Sequence, residues 1–516
     1  MIKTLMILKE KIKKSILFIK SFGVKVFLLK IYYHFTGVQQ EEKKLDEKEH
    51  VIDQEKYKQV IENWGRNYKI SVVVPVYRTK EKFLADMIRS VMSQSYENWE
   101  LCIADGSGDN GVTYNIIRKY CENDERIKVL RLEKNEGIAG NTNFALKMAT
   151  GEFIGLLDHD DFLAPNALYE IVKELNSNAD VDILYTDEDK VSQEGKRYFE
   201  PNNKPDFDME LFKVNNYICH FFVVKKEVVK KTKGFQSIYN GAQDYDFIFQ
   251  CLEVSKEIRH IPKILYHWRV HESSTSSNPD SKSYAFEAGR RTIQAHLDRN
   301  SIRGKVKNTF YPGFYEIDYL VDSYPMVSIL YWLDDKKNLK RDINRLKRRL
   351  KYPRVEILVI SDKQKNRMDE VLKNARGKYL LFLRQGIIPN KADGLVKMVG
   401  YCENDFVGCV CGKVYCKKSE IIQGTVYKWQ REQEDYISLY DRHSRVVGTP
   451  FHRENLQQEV DAGTMDCLMI SKKIFKELVE VNKETISLNL LSKQNFASIE
   501  SGMKKMVYYP EAEFKF

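Results

Sequence analysis

The chain lacks several features that assign proteins to common classes. Its 516 residues contain no window of about 18 uncharged apolar residues, which excludes an ordinary transmembrane helix. The nine cysteines form no repeating framework and no signal peptide with a cleavage site precedes them, so we expect a reducing cytosol. Cys409, Cys411 and Cys416 have no zinc-ligand spacing, which favours buried thiols. The net charge is +10, yet acidic residues are plentiful, which argues against a dedicated nucleic-acid-binding protein.

The length of the chain predicts two or three domains. Residues 1–38 combine apolar residues with lysines at roughly helical spacing, which predicts a basic amphipathic helix on an anionic membrane surface. The alternative is a helix that packs on its own protein. Residues 39–67, rich in Glu and Lys, are expected to form a linker. We place a first domain at 68–310, a second linker at 311–324 and a second domain at 325–516.

The first domain alternates strand-like and helix-like stretches. Ile70–Val76 is a β-branched run, 81–94 has helical spacing, and Trp99–Ala104 is a second strand-like run. Strand-like Ile127–Leu132 and helix-like Gly140–Ala149 continue the pattern. This alternation predicts an α/β fold with a parallel sheet.

Three carboxylates follow the next apolar run. Phe153–Leu157 has the composition of a buried strand and ends at Asp158, Asp160 and Asp161. Open α/β sheets bind ligands at the carboxyl ends of their strands. Three anions so close repel one another, and a divalent cation such as Mg2+ or Mn2+ would relieve that repulsion and attract a diphosphate. The alternative is a strand end with an aspartate that caps the next helix.

A glycine-rich turn offers a competing interpretation. Gly106-Ser-Gly108-Asp-Asn-Gly111 matches the dinucleotide-binding pattern G-x-G-x-x-G. However, the match follows the second strand instead of the first, and Asp105 stands where a pyrophosphate would approach. A polar turn is therefore favoured, with Asp105 available to accept a hydrogen bond from a base or sugar.

Four stretches resemble the nucleotide-sugar half of glycosyltransferase family 2, which has the GT-A fold. They are Val74-Pro75-Val76-Tyr77, Asp105, Asn135–Asn143 and Leu157–Asp161. The resemblance implies that the first two strand ends hold the nucleotide and that the acidic cluster binds a Mn2+ or Mg2+ cofactor under the diphosphate. The implied nucleotide-sugar contacts are Pro75, Tyr77, Asp105, Asn141, Asp158, Asp160 and Arg269. The implied metal ligands are Asp160, Asp161 and His271, although spacing alone does not decide which carboxylate binds the cation.

A later stretch, Gly241-Ala-Gln243-Asp244-Tyr-Asp246, resembles the acceptor-side motif of the same family. Inverting sugar transfer needs a base that takes the proton from the acceptor hydroxyl, and a partly desolvated carboxylate suits that task. Asp244 is the first candidate for the base and Asp246 the second. Both could instead cap the helix expected at 245–254.

The strand-like stretch that follows carries His267, Arg269 and His271 at alternating positions. Alternate residues of a strand lie on one face, so these side chains are expected to point together. Arg suits a diphosphate, and His can donate to phosphate or complete a metal shell. The stretch resembles the late Arg-x-His loop of the family, which stabilises the leaving group.

Asp187-Glu188-Asp189, Lys204-Pro-Asp206 and Asn216–His220 resemble a subgroup that includes rhamnosyltransferases of bacterial surface-polysaccharide assembly. The resemblance implies a donor or acceptor pocket, and a solvated loop is the alternative for the three acidic residues. The pocket residues expected are Asp187, Glu188, Asp189, Gln243, His267 and Trp268.

The second domain repeats the first in three places, in the same order. Val327–Tyr331 echoes Ile70–Val74, Val355–Ser361 echoes Trp99–Asp105, and Gly377–Ile387 echoes Gly151–Asp161. The acidic cluster is replaced by Arg384, Gly386 and Ile387. We therefore expect a degenerate GT-A-like domain that packs, binds acceptor or contacts a partner. Its basic run 336–351 fits an exposed helix face that is either solvated or in contact with membrane phosphates.

These features favour metal-dependent, inverting sugar transfer from a nucleotide-diphosphate donor such as dTDP-rhamnose or a UDP-sugar. The expected acceptor is a hydroxyl of a growing, lipid-linked surface polysaccharide at the inner face of the plasma membrane. Other glycan-assembly enzymes or a second copy of the chain are the expected protein partners. Two alternatives remain open: a nucleotide-dependent oxidoreductase that uses Gly106–Gly111, and a non-catalytic scaffold of a glycan-assembly complex.

Overall fold

The computed structural model describes most of the chain beyond residue 53. The ranges are 15–16, 54–271, 283–334, 338–361, 368–416, 420–431, 433–443, 450–481, 490–497 and 504–516. Apart from two residues, the membrane-surface helix predicted for 1–38 lies outside these ranges, as does most of the linker predicted for 39–67. Within the described ranges, no helix is both long enough and apolar enough to cross a bilayer.

The chain forms two compact units. The N-terminal unit contains Gln40–Phe207 and Asn215–Asn300, and the C-terminal unit contains 301–516 together with Asp208–Val214. The sequence predicted a boundary at 310 followed by a linker, whereas the structure places 301–310 in the C-terminal unit. It also forms a strand, Tyr315–Tyr319, inside the predicted linker, because this segment pairs antiparallel with Gly304–Asn308.

The N-terminal unit is built on one mixed sheet of nine strands. The strands are β1 (Ile70–Val76), β2 (Trp99–Asp105), β3 (Ile127–Arg131), β4 (Phe153–Leu156), β5 (Phe162–Leu163), β6 (Ile183–Ser192), β7 (Tyr198–Asn202), β8 (Phe222–Lys225) and β9 (Ile258–Val270). Their order is β3-β2-β1-β4-β8-β6-β9-β5, with β7 beside β6. The helices are α1 (Gln54–Glu62), α2 (Glu81–Met92), α3 (Val112–Cys121), α4 (Gly137–Met148), α5 (Ala167–Ser177), α7 (Lys226–Val229), α8 (Gln243–Val254) and α9 (Ser283–Arg299), with a 3-10 turn at Ser237–Tyr239.

The amphipathic helices explain why the central strands are apolar throughout. Every residue of β1 is buried, as expected for a parallel strand covered on both faces. In α2, buried Leu84, Met87, Ile88 and Val91 recur at helical spacing and pack in the same core. Strands β3, β2, β1 and β4 are mutually parallel, so their carboxyl ends meet at one edge of the sheet.

The C-terminal unit contains a second mixed sheet. The strands of this unit are β10 (Gly304–Asn308), β11 (Tyr315–Tyr319), β12 (Val327–Trp332), β13 (Val355–Ile360), β14 (Tyr379–Arg384), β15 (Ile388–Pro389), β16 (Val407–Cys416), β17 (Ile421–Ile422), β18 (Val426–Gln430), β19 (Asp435–Ser438), β20 (Gln458–Glu459), β21 (Ala462–Thr464), β22 (Cys467–Ser471), β23 (Leu490–Ser492) and β24 (Lys505–Lys515). Strands β10 and β11 form a two-stranded sheet, β19-β18-β21-β23 form a four-stranded sheet, and the other nine form the mixed sheet. Its helices are α6 (Met209–Phe212), α10 (Leu339–Arg349), α11 (Met368–Asn374), α12 (Gly394–Cys402), α13 (Lys472–Val481) and α14 (Lys493–Phe496), with a 3-10 segment at Pro450–Asn455.

The predicted duplication is present in the topology. The order β13-β12-β14-β22-β16-β24-β15 reproduces β2-β1-β4-β8-β6-β9-β5, and each pairing keeps its parallel or antiparallel sense. With Gly151 aligned to Gly377, the pairing registers establish further equivalences between the two units. They equate Asp187 with Lys413, Glu188 with Val414, His220 with Asp466, and Tyr266 with Phe514.

Two further segments of the C-terminal unit carry many charges. In α10, Arg345, Arg348 and Arg349 are exposed while Leu346 is buried, as predicted for a helix with an exposed basic face. In the segment Asp208–Val214, which contains α6, Glu210 is buried and accepts hydrogen bonds from Lys213 Nζ at 2.7 Å and from the hydroxyl of Tyr401. This segment packs as part of the C-terminal unit although it comes from the middle of the other unit's sequence.

Candidate active site

The ends of β1 and β2 are tied together by a polar turn. The Arg78 amide donates to Ser107 Oγ at 2.9 Å, and the Ser107 amide donates to Asp105 Oδ1 at 2.9 Å. Pro75 and Asp105 are buried, whereas Tyr77 is 43% exposed. The predicted nucleotide contacts at these strand ends therefore include one exposed aromatic ring, and the buried Asp105 carboxylate braces the turn.

Asn141 has a structural task that the sequence did not indicate. Its Nδ2 donates to Asn135 Oδ1 at 3.0 Å, and its Oδ1 accepts the Glu136 amide at 3.1 Å. A Cβ on residue 106 would lie 2.5 Å from Asn141 Nδ2, so Gly106 is needed for this close approach. The amide predicted to contact the sugar nucleotide is thus engaged at both ends inside the protein.

The acidic cluster after β4 divides into three environments. The side chain of Asp158 is 46% exposed. The Oδ2 atom of Asp160 lies 2.7 Å from His271 Nε2. Asp161 is buried and accepts hydrogen bonds from the Tyr266 hydroxyl at 2.6 Å and the Arg269 amide at 2.7 Å. These contacts make Asp161 a brace between the acidic loop and β9, while Asp158 can be reached from solvent.

The pKa values of the two less exposed carboxyls shift in opposite directions. Burial raises the pKa of Asp161 well above its ordinary value, and the charges of Asp160 and Asp158 raise it further. Burial is also the largest single cause for Asp160 and acts in the same sense, but the hydrogen bond from His271 and the charges of His159 and His271 together outweigh it and hold the pKa of Asp160 below its ordinary value. The cluster therefore limits its own repulsion by keeping one buried carboxyl readily protonated.

A histidine that the sequence did not single out completes the cluster. His220 precedes β8 and has a left-handed φ of 66°. Its Nε2 lies 3.6 Å from Asp158 Oδ2, and its Nδ1 lies 3.3 Å from Glu188 Oε2. Burial alone would lower the pKa of His220, but neighbouring Cys219, Asp158 and Glu188 outweigh burial and raise it well above its ordinary value.

The side chains that lie close enough to share a cation differ from the predicted set. Ligand atoms of Asp158, Asp161 and His220 all lie within 4.8 Å of one another. The prediction named Asp161 together with Asp160 and His271, which bond directly to each other instead. His220 could not be found by spacing, because it reaches Asp158 only through the antiparallel pairing of β8 with β4.

The predicted role of Arg269 is not what the structure shows. Arg269 is fully buried, and its guanidinium donates to the Asp86 carboxylate at 3.0 Å, the Gln193 carbonyl at 2.9 Å and the Asp160 carbonyl at 2.8 Å. The guanidinium also packs against the ring of Phe83, 4.7 Å from its centroid. A side chain so engaged holds the acidic loop in place and does not present its donors to a diphosphate.

The opposite face of β9 also meets the acidic cluster, through Tyr266. The ring of Tyr266 stacks on His220 at 4.7 Å between centroids, and the ring of Trp268 lies 5.6 Å from His220. His267 points the other way and lies 2.7 Å from Asp189 in a buried pair. The alternation of β9 was predicted correctly, and both faces of the strand contact the acidic cluster. On the predicted face, Arg269 and His271 bond to Asp160, whereas His267 does not reach it.

The three acidic residues of β6 are buried, so the solvated-loop alternative is wrong. Asp187 Oδ1 accepts the Lys204 amide at 2.8 Å and lies 2.8 Å from His260 Nε2. Glu188 receives Lys204 Nζ at 3.3 Å and faces His220. Of these acids, Glu188 is the one that contacts the cluster around Asp158, and it does so through His220.

Helix α8 separates the two candidates for the base. Burial raises the pKa of Asp244, and the nearby charge of Asp158 raises it further. Asn216 Nδ2 donates to Asp244 Oδ2 at 2.9 Å and orients the carboxylate. The N-cap of α8 is Ala242, so Asp244 does not occupy the capping position that was the alternative. The charges of His220 and Asp158 both act on the pKa of Asp244, the first lowering it and the second raising it, so this carboxyl lies near those two residues.

Asp246 points away from this cluster. Two residues along a helix differ in direction by about 200°, and Asp246 is buried where it accepts hydrogen bonds from Gln250 at 2.7 Å and Arg299 at 3.4 Å. Gln243 turns back onto its own loop, where its Oε1 accepts the Gly241 amide at 2.8 Å. The structure thus separates Asp244 from its two neighbours in the motif.

Comparison with known proteins places the cluster inside a recognised family region. The chain matches the family described as Glycosyl transferase family 2 over residues 71–233, a range that includes Asp158, Asp161 and His220. An uncharacterised glycosyltransferase of Haemophilus influenzae is 30% identical over 248 residues, which cover 47% of this chain and 92% of that protein.

Two longer relatives match as well. The uncharacterised protein y4gI of Sinorhizobium fredii is 30% identical over 490 residues, covering 84% of this chain and 53% of its own length. The O-antigen biosynthesis protein RfbC of Myxococcus xanthus is 32% identical over 299 residues, covering 58% of this chain and 23% of its own length. The chain therefore spans only half of y4gI and about a quarter of RfbC.

Proposed function

Because the chain belongs to glycosyltransferase family 2, we propose that it transfers a sugar from a nucleotide-diphosphate donor to a hydroxyl of a growing surface polysaccharide. The observation that carries the proposal is the cluster of Asp158, Asp161 and His220, whose ligand atoms lie within 4.8 Å of one another inside the matched family region. The charges of Asp158 and His220 also act on the half-buried carboxyl of Asp244. The name of the relative RfbC supports a polysaccharide as the product. Family membership removes the basis for the oxidoreductase alternative.

The donor would bind over the ends of β1 and β2. Tyr77 offers an exposed ring for a base, with the Arg78 guanidinium 5.4 Å from its centroid. Asp105, the last residue of β2, pairs with Val76 at the end of β1 and accepts the Ser107 amide. This arrangement matches the general location of ligands in open α/β sheets. Donors with uridine or thymidine diphosphate remain equal proposals, since no contact here distinguishes the base.

The acidic cluster suits a hard divalent cation, Mn2+ or Mg2+. Asp158, Asp161 and His220 offer two carboxyl groups and an imidazole within 4.8 Å, and the half-exposed Asp158 gives access to the site. Because the pKa values of Asp161 and His220 are raised, binding of a cation would release their protons. Asp160 and His271, whose atoms lie 2.7 Å apart, are a second pair that would have to separate to admit an ion. When bound, such a cation supplies positive charge that stabilises a departing diphosphate.

In this proposal, each side chain near the acceptor has its own role in the transfer. Asp244 takes the proton of the acceptor hydroxyl, and its raised pKa makes it a stronger base than an ordinary aspartate. Asn216 fixes the direction of the carboxylate. Trp268 and His220 form a wall beside Asp158 that excludes water and orients the sugar. Attack from the side of Asp244, opposite the diphosphate, would invert the anomeric centre.

The decisive experiment measures donor hydrolysis and transfer with a panel of nucleotide sugars in Mn2+. At least one donor should turn over in the wild type, and Asp158→Asn should abolish that turnover while the chain still melts cooperatively. Glu227→Gln, which neutralises a largely exposed carboxylate in the same unit, is the matched control. Binding of a nucleoside diphosphate without turnover of any donor would instead support the scaffold alternative.

The cation ligands can be tested without measuring activity. Mn2+ binding to the full chain, followed by electron paramagnetic resonance, should weaken in Asp158→Asn and His220→Gln. If Asp160→Asn and His271→Gln weaken binding while those two variants do not, the ion belongs to the second pair.

A lipid-linked acceptor on an anionic membrane rests on the sequence of residues 1–38 alone. Removal of these residues should reduce binding of the protein to vesicles that contain anionic lipid. Equal partitioning of the two forms would end this part of the proposal.

A further inference from the structure

The C-terminal unit contains a cavity of about 250 Å³ with an aromatic wall. It lies between the β10–β11 loop, the 3-10 segment Pro450–Asn455 and the last strand. The rings of Tyr311 and His452 stack with centroids 3.7 Å apart, and Phe314 meets His452 edge-on at 5.5 Å. Phe451 and His452 hold left-handed φ angles of 58° and 53°, a strain that proteins tend to retain at ligand sites.

The floor of the cavity is polar and buried. Lys413 and Glu513 face each other in the register of β16 and β24, and both are buried. Lys413 Nζ donates to Asn455 Oδ1 at 2.6 Å, and Glu513 Oε2 accepts Asn390 Nδ2 at 2.6 Å. Buried charged groups are not stabilising in themselves, so their concentration beneath an open space indicates a binding role.

The charges at the rim are balanced. Lys397 Nζ lies 2.9 Å from Glu316 and 3.3 Å from Glu511, and Lys391 lies 4.0 Å from Glu511. An anionic ligand such as a phosphate would meet Glu316, Glu511 and Glu513, whereas a neutral, hydroxyl-rich ligand would find both donors and acceptors. The lining therefore fits a neutral ligand better than a phosphate.

We propose that this cavity binds one neutral sugar unit of a glycan. The apolar face of the sugar ring packs against Tyr311, and its hydroxyls bond to Lys413, Asn455 and Glu513. The volume lies below the range of about 300–1,000 Å³ that is usual for drug-sized ligands, which suits a single ring.

The cavity is not the counterpart of the candidate active site. Strand register equates Lys413 with Asp187, whose carboxylate binds His260 and not His220. The residues that correspond to the acidic cluster, Arg384 and Ile387, do not line the cavity. Since the proposal concerns binding alone, it does not depend on the proposed sugar transfer.

Saturation-transfer difference NMR on the full chain tests the proposal with methyl glycosides of glucose, galactose, N-acetylglucosamine and rhamnose. At least one glycoside should show saturation transfer, and Tyr311→Ala should reduce it about fivefold or more, which is the loss of one aromatic contact. Tyr324→Ala removes an exposed aromatic of the same unit and should leave the signal unchanged. Binding of a nucleoside diphosphate with Mn2+ should be the same in all three proteins.

A second variant protects the test against misfolding. Lys391 is exposed but lines the cavity, where its ammonium group can also donate to a sugar hydroxyl. Lys391→Met should therefore fold normally and also weaken the saturation transfer. If Tyr311→Ala fails to melt cooperatively, the Lys391→Met variant alone tests whether the cavity binds the glycoside. The absence of saturation transfer from every glycoside would overturn the proposal, as would a signal that survives the variants that fold.

Discussion

The two units share one sheet topology but differ in which end of the sheet they preserve. At the amino ends of the strands, Ser71 Oγ donates to Glu100 at 2.6 Å and accepts the Gly151 amide at 2.8 Å. In the C-terminal unit, Ser328 Oγ donates to Glu356 at 2.5 Å and accepts the Gly377 amide at 2.8 Å. The same three residue types thus link the same three strands in both units.

Both glycines in this network are needed for packing. A Cβ on residue 151 would lie 2.5 Å from the Lys69 carbonyl, and one on residue 377 would lie 2.4 Å from the Ser328 amide. Close approach at this end of the sheet is therefore a requirement of the fold that both units meet.

At the carboxyl ends of the strands, both members of each contacting residue pair differ between the two units. The hydrogen-bonded pair Asp161 and Tyr266 corresponds to Ile387 and Phe514, both of which are buried. Asp158 beside His220 corresponds to Arg384 beside Asp466, 3.8 Å apart, so the charges are exchanged. The comparison teaches that the amino end of this sheet keeps the contacts the fold requires, whereas the residues at the carboxyl end can be exchanged without loss of the fold.

The largest expected difference between the units is in turnover. Asp244→Asn removes the proposed base, and the rate of transfer should fall about 10²–10⁴-fold, as measured by initial rates with saturating donor. Arg384→Gln changes the carboxyl edge of the other unit and should leave the rate unchanged. A large loss in the Arg384 variant would show that the C-terminal unit takes part in the reaction.

Stability provides the next contrast. Glu100 is buried and binds Lys69, Lys128 and Ser71, so Glu100→Gln should lower the free energy of unfolding by about 2–3 kcal/mol in urea denaturation. These hydrogen bonds hold the pKa of Glu100 far below its ordinary value despite burial. The stabilisation is therefore present above the unfolded pKa and is lost as the pH falls below about 4.5.

Glu356 is the counterpart of Glu100 in the C-terminal unit, and we expect its substitution to cost less stability. Its pKa is also lowered, but its ion-pair partner Arg376 is largely exposed, so Glu356→Gln should cost only about 1 kcal/mol. Equal costs for the two substitutions would mean that exposure of the cation does not matter to this network.

Tyr266→Phe makes the Asp161–Tyr266 pair of the N-terminal unit more like its counterpart in the C-terminal unit, Ile387 and Phe514. The Asp161 carboxyl loses its 2.6 Å hydrogen bond, and the free energy of unfolding should fall by about 1–2 kcal/mol. Phe514→Tyr is the reciprocal change, which adds a hydroxyl beside Ile387 and is destabilising for lack of space. A Tyr266→Phe variant as stable as the wild type would show that Asp161 does not depend on this bond.

The smallest expected effect is a shift in pH dependence. Because burial raises the pKa of Asp244, the acid limb of the pH–rate profile should lie above the pH at which an ordinary aspartate titrates. In Asn216→Ala the carboxylate loses a donor, and the limb should move further toward high pH. An acid limb at the pH of an ordinary aspartate would argue against Asp244 as the base.

The sequence predicted three features: the α/β class, the duplication, and the strand that ends at the acidic cluster. Each of them rests on patterns that are local in the chain. The sequence ranked Asp244 ahead of Asp246 as the candidate base but could not show that their side chains point apart, since direction on a helix depends on where the core lies. It missed His220 and misassigned Arg269, because both are positioned by pairing between strands far apart in the chain. Charge type alone indicated a phosphate ligand for Arg269, whereas burial makes that residue a brace.

The segment Asp208–Val214 has a practical consequence for anyone who dissects this protein. It belongs to the C-terminal unit, yet Asn216 and His220 follow it within a few residues. A gene cut after Asn300 would yield a fragment whose loop ahead of those side chains has lost the packing around Glu210 and Tyr401. Expression of the N-terminal fragment alone should therefore give an aggregation-prone, inactive protein. Co-expression of the two fragments is the more promising design.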